Sequence, residues 1–360
     1  MKNVVFAVLC LLFASVAFSQ GVKLPAAAPY YSEDVTFLNS TDGIILAGTL
    51  SLPQKKGNYP AVVLIAGNGK NNRDAEFKGH KLFLDITNYL VQQGIAVLRF
   101  DKRGVGQSGG EFKTATSADF ADDAQAALSY LLTRKEINKS KIGLIGHSEG
   151  GLLAPMIAAR SKSVAFIVLL AGPGLPGDAL LLLQQEAIAK AKGTSEAEVK
   201  KSHDLNQQAF SIIKKYTNPA ELKIKMTEYI EATSKNDPDK PDSMTQQEYV
   251  DAQLNRILSP WMVSFLRYNP AIALQKVTCP VLALYGSKDL QVLPQQNLTA
   301  VTSALTKGGN KHFTIKELPN LNHMFQECET GLPAEYEQIQ QSISPIALKE
   351  VGNWITIQTK

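Results

Sequence analysis

Short apolar runs alternate with stretches of helical spacing along most of this chain, and this alternation limits its possible folds more than any other feature. The runs are almost continuously apolar, which is typical of strands covered by helices on both faces. The strand-like runs are 35–38, 44–52, 61–66, 96–100, 141–145, 166–171, 281–285 and 313–318. Helices are expected at 79–93, 117–133, 150–159 and 342–358. This order predicts an α/β fold with a doubly wound, mostly parallel, eight-stranded sheet that opens on an antiparallel pair.

The alternation stops between residues 174 and 270, where Lys, Glu, Ala and Gln at helical spacing replace the strand-like runs. We interpret 175–270 as a helical cap inserted into a core made of 20–174 and 271–360. A polar segment with two prolines, 237–242, predicts a loop within the cap. Because the insertion leaves after one strand and returns before the next, we expect it to cover the carboxyl ends of the strands.

The first 19 residues have the pattern of a secretory signal peptide. Lys2 precedes an apolar run, 4–18, which ends in small residues. About 15 apolar residues are too few for a membrane-spanning helix, which needs about 20. We therefore predict export to the periplasm or the extracellular space, with no stable membrane anchor.

Charge and cysteine content argue against a nucleic-acid partner, a disulfide framework and a metal site. The formal net charge of +4 is too weak to indicate a nucleic-acid partner. Cys279 and Cys328 are too few for a disulfide framework, and we expect them not to pair because they are predicted at opposite edges of the sheet. No paired Cys/His spacing or H-E-x-x-H pattern indicates a metal. The oligomeric state cannot be read from the sequence.

Residues 146–150 read Gly-His-Ser-Glu-Gly, directly after an apolar run and directly before helical spacing. A serine at a sharp strand-to-helix turn, with small residues two positions before and after it, is a nucleophile elbow. Five such residues can occur by chance, but the flanking strand and helix favour the functional interpretation. Ser148 is therefore the candidate nucleophile.

A serine hydroxyl needs a base to accept its proton and a carboxylate to orient that base. His323 follows the last predicted strand and is the candidate base, whereas His147 adjoins Ser148 on the elbow and must point away from it. Asp289 follows the preceding strand and stands between Ser148 and His323 in the chain. This is the order Ser, Asp, His that the elbow predicts.

Attack on a carbonyl creates an oxyanion that needs preorganised donors. The backbone N–H of Glu149 is one candidate, because this residue follows the nucleophile at a helix start. The backbone N–H of Asn68, between Gly67 and Gly69, is the other candidate. A simple glycine turn is the alternative interpretation of that second loop.

Two further patterns have more than one interpretation. Residues 104–109 match G-x-G-x-x-G after a strand, but no helix is expected at the third glycine, so we predict no dinucleotide or other cofactor. The apolar side chains at 261, 262, 265 and 268 suit one helix face. They indicate core packing or, alternatively, contact with an acyl chain.

With these residues in place, the chain resembles the α/β-hydrolase superfamily. The matching stretches are 146–151, 100–108 and 321–323. Within the superfamily the chain is similar to secreted bacterial esterases and to serine-aminopeptidase-like hydrolases of the S33 type. Their oxyanion loop reads Ala-Gly-Ser-Gly-Pro and then Asp-Arg-Asp; here it reads Ala-Gly-Asn-Gly-Lys and then Asn-Arg-Asp. The resemblance implies hydrolysis of carboxylic esters.

We therefore expect a serine hydrolase that cleaves small-molecule esters of small or medium acyl groups through an acyl-enzyme intermediate. A serine aminopeptidase or an acyl thioesterase would use the same triad, and an acyl transferase would replace water with another acceptor. The alternative from another class is a catalytically silent binding protein. It is disfavoured because Ser148, Asp289 and His323 are all present.

Overall fold

Eight strands form one mixed sheet in the computed structural model, which describes residues 30–235 and 240–360. A two-stranded hairpin, β4 (Glu76–Phe77) and β5 (His80–Lys81), lies outside this sheet. The sheet strands are β1 (Tyr31–Asn39), β2 (Ile44–Leu52), β3 (Tyr59–Ile65), β6 (Ala96–Phe100), β7 (Ile137–His147), β8 (Phe166–Leu170), β9 (Val281–Gly286) and β10 (Phe313–Leu318). Their spatial order is β1-β2-β6-β3-β7-β8-β9-β10. The sheet predicted from the sequence is thus confirmed.

Strand direction and burial explain why the strands could be predicted from the apolar runs in the sequence. β1 pairs with β2 and β2 with β6 in antiparallel fashion, and every other neighbouring pair is parallel. β6, β8 and β9 are buried along their whole length, because helices cover both faces of the sheet. β1 lies at the edge and alternates between exposed side chains and side chains that are half-buried or buried.

Helices cover the sheet and fill the region between β8 and β9. They are α1 (Leu82–Gln92), α2 (Ser117–Thr133), α3 (Glu149–Ala158), α4 (Gly177–Ala191), α5 (Glu196–Lys215), α6 (Pro219–Thr233), α7 (Gln246–Ile257), α8 (Pro260–Arg267), α9 (Ala271–Leu274), α10 (Pro294–Lys307) and α11 (Pro345–Gln358). Sequence analysis missed α10. Its buried residues are at 297, 301, 304 and 305, but glutamine and threonine at its other positions hide that helical spacing.

The described part of the chain between β8 and β9 contains only helices, where the sequence predicts a cap. Helices α5 to α8 bury a small apolar cluster of their own, and α4 adds partly buried side chains to it. Leu180 of α4 and Phe265 of α8 belong instead to the main core. These two helices therefore join the helical segment to the sheet.

Two sequence predictions fall on residues that the structure leaves out. The predicted signal peptide at 1–19 lies outside the described residues, as do residues 237–239 of the predicted loop. Within 30–235 and 240–360, no helix is long and apolar enough to cross a membrane.

Cys279 and Cys328 are both free thiols, but the predicted reason was wrong. The strands β9 and β10 are parallel neighbours at the same edge of the sheet. Cys279 precedes β9 whereas Cys328 follows β10, so the thiols lie toward opposite ends of adjacent strands. Burial raises the pKa of each thiol to about 11, so both are protonated at neutral pH.

Candidate active site

Ser148 stands at a sharp turn between β7 and α3. Its backbone has φ 55° and ψ −122°, a left-handed φ that non-glycine residues rarely adopt. Neighbouring backbone crosses this turn so closely that a Cβ on Gly146 would lie 2.0 Å from the Gly150 carbonyl oxygen. A Cβ on Gly150 would lie 1.9 Å from the carbonyl oxygen of Ile65. Ser148 therefore has the backbone geometry of the predicted elbow.

Asp289 and His323 meet beyond the carboxyl ends of the neighbouring strands β9 and β10. Nδ1 of His323 donates to Oδ2 of Asp289 at 2.8 Å, and both side chains are buried. Oδ1 of Asp289 accepts the backbone N–H groups of Gln291 and Val292, at 2.7 and 2.9 Å. With its Nδ1 proton directed to the carboxylate, His323 has its Nε2 lone pair free to act as a base.

The His323 ring lies beside the elbow, since its centre is 4.9 Å from the centre of the His147 ring. Within the part of the chain that the structure describes, the Ser148 hydroxyl forms no hydrogen bond. Such bonds are often long in substrate-free hydrolases and tighten when substrate binds. The structure thus brings the three predicted residues to the carboxyl ends of the sheet strands and joins two of them by a hydrogen bond.

His147, which sequence analysis rejected as the base, instead supports the loop that carries His323. Its Nε2 donates to the carbonyl oxygen of His323 at 2.9 Å. On the other side of the same loop, Oδ1 of Asn322 accepts the N–H groups of Met324 and Gln326, at 2.9 and 3.0 Å. These contacts give the Leu-Asn-His stretch at 321–323 a structural role, because they hold the loop of His323 in one conformation.

Replacing His147 with glutamine should weaken the acid sensitivity of folding. Burial, and after it the neighbouring His323, lowers the pKa of His147 to about 3. As pH falls from about 6.5 toward 3, His147 is therefore protonated in the unfolded chain but stays neutral in the folded chain. This proton uptake favours the unfolded chain, so the free energy of unfolding decreases over that range. Between pH 7.5 and 4.5, H147Q should lose about 2–3 kcal/mol less free energy of unfolding than wild type. Denaturant titrations at both pH values measure this difference.

Glutamine keeps a side-chain N–H that can donate to the His323 carbonyl but does not titrate in this range. The matched control is H312Q, since His312 is exposed and lies outside the site. H312Q should follow the wild-type pH dependence. Equal losses of stability in H147Q and wild type would contradict a buried, neutral His147.

The loop after β3 lies against the elbow, as predicted for the second oxyanion donor. A Cβ on Gly67 would lie 3.0 Å from Cβ of Ser148 and 3.5 Å from its Oγ. Nδ2 of Asn71 donates to the carbonyls of Gly67, Asn68 and Gly69, at 3.0, 3.0 and 3.2 Å. The loop is therefore more than a simple glycine turn, because one amide side chain gathers three of its carbonyls.

Glu149 is the first residue of α3, and the N–H groups of a first helical turn have no partner within the helix. The backbone N–H of Glu149 is therefore available beside Ser148. Within residues 30–235 and 240–360, the backbone N–H of Asn68 donates no hydrogen bond. Both residues predicted as oxyanion donors thus lie in segments that adjoin Ser148.

Asp101, directly after β6, supports this loop, a role that sequence analysis missed. The Asp101 carboxylate accepts the backbone N–H of Arg73 at 2.7 Å and its guanidinium at 2.8 Å. Burial by itself would raise the pKa of Asp101, but the hydrogen bonds from Arg73 and from the Gln107 N–H hold that pKa below its ordinary value. Asp74, the next residue of the loop, accepts Nε of Arg99 at 2.8 Å. The signal available in the sequence was opposite charge, since Arg73 and Asp74 follow β3 whereas Arg99 and Asp101 lie at the end of β6.

The remaining glycine pattern forms turns in the structure. Gly104 and Gly106 have positive φ angles, and α2 begins only at Ser117. No helix therefore starts at the third glycine of 104–109, in agreement with the sequence interpretation. In the described ranges, no three His, Cys, Asp or Glu side chains are grouped in a way that could hold a metal ion.

Comparison with known proteins identifies the family. A profile of the family described as Serine aminopeptidase, S33 matches residues 79–329, which is more than half of the chain. The chain belongs to this family. It is 24% identical to Esterase EstD of Thermotoga maritima over 344 residues, which cover 95% of this chain and 73% of that protein. The predicted resemblance, and with it the prediction of a hydrolase, is confirmed.

Solved structures show the same fold. The hypothetical protein PA2218 from Pseudomonas aeruginosa superposes with a TM-score of 0.55 and 18% identity, covering 93% of this chain and 96% of that one. A Pyrococcus furiosus esterase, Pf2001, superposes with a TM-score of 0.53 and 16% identity, covering 91% and 93%. These likenesses confirm the α/β-hydrolase fold.

Proposed function

We propose that this hydrolase is a serine esterase in which Ser148, Asp289 and His323 form the catalytic triad. The observation that carries the proposal is the buried hydrogen bond from His323 to Asp289 beside the left-handed turn at Ser148. Supporting it, the relative from Thermotoga maritima and the Pyrococcus furiosus protein are both named esterases. The substrates that we propose are small-molecule esters of small or medium acyl groups.

In the proposed mechanism, Ser148 Oγ attacks the acyl carbon while Nε2 of His323 takes its proton. The backbone N–H groups of Asn68 and Glu149 stabilise the oxyanion, and each such donor commonly contributes about 3 kcal/mol. His323 then returns the proton to the alkoxide oxygen, so that the alcohol leaves and an acyl-enzyme remains. Water attacks this ester with His323 again as base, and the acid departs. Asp289 orients the imidazole and stabilises its charged form throughout.

Peptide hydrolysis is the second candidate, since the family description itself names an aminopeptidase. The triad would be the same, but the leaving group would be an amine, which must be protonated before it departs. An acyl thioesterase would likewise share the machinery. Pocket contacts and not the elbow separate these substrates.

A substrate panel tests the proposal. We expect p-nitrophenyl esters of short and medium chains to be hydrolysed with kcat/KM at least 100-fold above aminoacyl p-nitroanilides, in a reaction that labelling of Ser148 by a fluorophosphonate abolishes. The series runs from acetate to palmitate and includes acyl thioesters. Turnover confined to anilides would assign a peptidase, and turnover confined to thioesters a thioesterase. Absence of any turnover would favour a silent binding protein.

We also propose that the mature protein acts after export to the periplasm or the extracellular space. The support is the sequence pattern at 1–19, a basic residue followed by a short apolar run and small residues. Mass spectrometry of the protein recovered outside the cytoplasm should show a chain that begins at Gln20.

A further inference from the structure

Lys102 is a buried basic residue beside the site, and the mechanism above does not use it. Its side chain is 5% exposed, and its Nζ lies 3.7 Å from the centre of the Phe120 ring. Nζ donates to the carbonyl oxygen of Gly67 at 2.9 Å and lies 3.5 Å from Oε2 of Glu149. Lys102 thus touches both segments that supply the proposed oxyanion donors.

The contact with Gly67 has a geometric consequence for the next residue. In a trans peptide, the carbonyl oxygen and the following N–H point in opposite directions. Anchoring the Gly67 oxygen on Lys102 and Asn71 therefore sets the direction of the Asn68 N–H. Because Gly67 lies against Ser148, a rotated peptide would present a carbonyl oxygen to the oxyanion in place of a donor.

The other partner of Lys102 connects the site to the cap. The Glu149 carboxylate is 2% exposed and accepts Nε1 of Trp261 at 2.6 Å and Oγ of Ser117 at 2.7 Å. Trp261 belongs to α8 and stacks on Phe265 at 4.9 Å between ring centres. A continuous chain of contacts therefore runs from the cap through Glu149 and Lys102 to the oxyanion loop.

We propose that Lys102 is a positioning residue that orients the Gly67–Asn68 peptide for oxyanion binding, and that Trp261 of the cap holds Lys102 in register through Glu149. The proposal rests on the proposed function, because it assigns the support of that same site. A buried ion pair also stabilises or strains a fold without any part in catalysis. The experiment must therefore separate transition-state stabilisation from folding.

The central variant is Lys102→Met, which keeps the apolar stem and removes the donor. We expect kcat for the best p-nitrophenyl ester to fall about 10- to 100-fold, toward the loss seen when an oxyanion donor is removed, with KM changed less than about threefold. The affinity for a trifluoromethyl ketone, which binds as an oxyanion adduct, should fall by the same factor. Lys102→Arg, which keeps a donor and the charge, should recover part of kcat.

The matched control is Arg103→Met. Arg103 is the neighbouring buried cation and is paired with Asp123 at 2.7 Å. Among the described residues, its hydrogen bonds and ion pairs go to Asp42, Asp119 and Asp123, none of which belongs to the oxyanion loop. We expect R103M to lower the melting temperature as K102M does, yet to leave kcat of the folded fraction within threefold of wild type. Equal losses of kcat in both variants, or wild-type kcat in folded K102M, would overturn the proposal.

If K102M does not fold, a second pair of variants tests the proposed link from Trp261 through Glu149. Trp261→Phe removes the N–H donor to Glu149 and keeps a ring to stack on Phe265. We expect W261F to lower kcat about three- to tenfold, whereas Trp354→Phe on α11, where the indole packs on Phe166, should leave kcat unchanged. Equal kcat in W261F and W354F would overturn the proposed link to the cap.

Phosphonylation separates failure of this inference from failure of the proposed function. A fluorophosphonate places its phosphonyl group on Ser148 Oγ, His323 takes the proton and fluoride leaves, while the phosphoryl oxygen occupies the oxyanion site. A tenfold slower reaction in K102M than in R103M supports the role of Lys102 even if no ester is hydrolysed. Equal rates overturn that role while leaving Ser148 a nucleophile. A wild-type protein that neither reacts with the probe nor hydrolyses any substrate overturns both proposals.

Discussion

Replacing Ser148 with alanine should lower kcat for ester hydrolysis by about 10⁶-fold, because residues 146–150 contain no second hydroxyl that could form the acyl-enzyme. The variant should fold, since alanine already adopts a similar left-handed φ at Ala75 and Ala171 in this structure. Initial rates with a short p-nitrophenyl ester, and circular dichroism of the same sample, measure the two properties together. Residual turnover would come from binding and the oxyanion donors alone.

Ser129→Ala is the control for this experiment. The Ser129 hydroxyl is exposed on α2 and donates to the carbonyl of Gln125, away from the site. S129A should match wild type in both rate and stability. A folded S148A protein with more than about 1% of the wild-type kcat would contradict the assignment of Ser148 as nucleophile.

Replacing Asp289 with asparagine should lower kcat by about 10⁴-fold, because the imidazole would be held with its proton on the wrong nitrogen. The two backbone N–H groups of Gln291 and Val292 need an acceptor at this position, so the asparagine oxygen should face them. The amide NH₂ would then face His323. His323 could satisfy it only by accepting at Nδ1, which leaves Nε2 protonated and unable to take the proton from Ser148.

Steady-state kinetics at constant pH measure this loss, and the expected KM is close to that of wild type. Asp122→Asn removes the same charge from a surface pair with Arg160 and should leave kcat unaltered. A D289N enzyme within tenfold of the wild-type kcat would show that another carboxylate orients His323.

The loops around Ser148 explain how the backbone of the oxyanion loop can be held in place in this chain although its sequence departs from the esterase pattern. Asn68, Lys70 and Asn72 replace the residues found in the esterase pattern, yet Arg73 and Asp74 keep their charged partners on the next loop and strand. Backbone N–H groups stabilise an oxyanion whichever side chain they carry, provided that the backbone is held in place. The charged residues that hold it are therefore the informative part of the motif.

Much of the fold could be predicted from the sequence because its strands are buried on both faces. β2, β6 and β10 coincide with the predicted runs, and α2 coincides with the predicted helix. The helix α10 was missed because its buried positions are few and are separated by polar residues. The error about the edges of the sheet at Cys279 and Cys328 has another cause, since local pattern contains no information on which strands become neighbours.

The sequence by itself determined the elbow and the order of the candidate triad, because a strand, a sharp turn and a helix are local features. Only the tertiary structure decided what supports these residues. Lys102 donates to Gly67, Trp261 of α8 donates to Glu149, and His147 donates to the carbonyl of His323. These partners are far apart in the chain and carry no local periodicity. Their contacts arise only when the packing of the sheet, its loops and the cap brings them together.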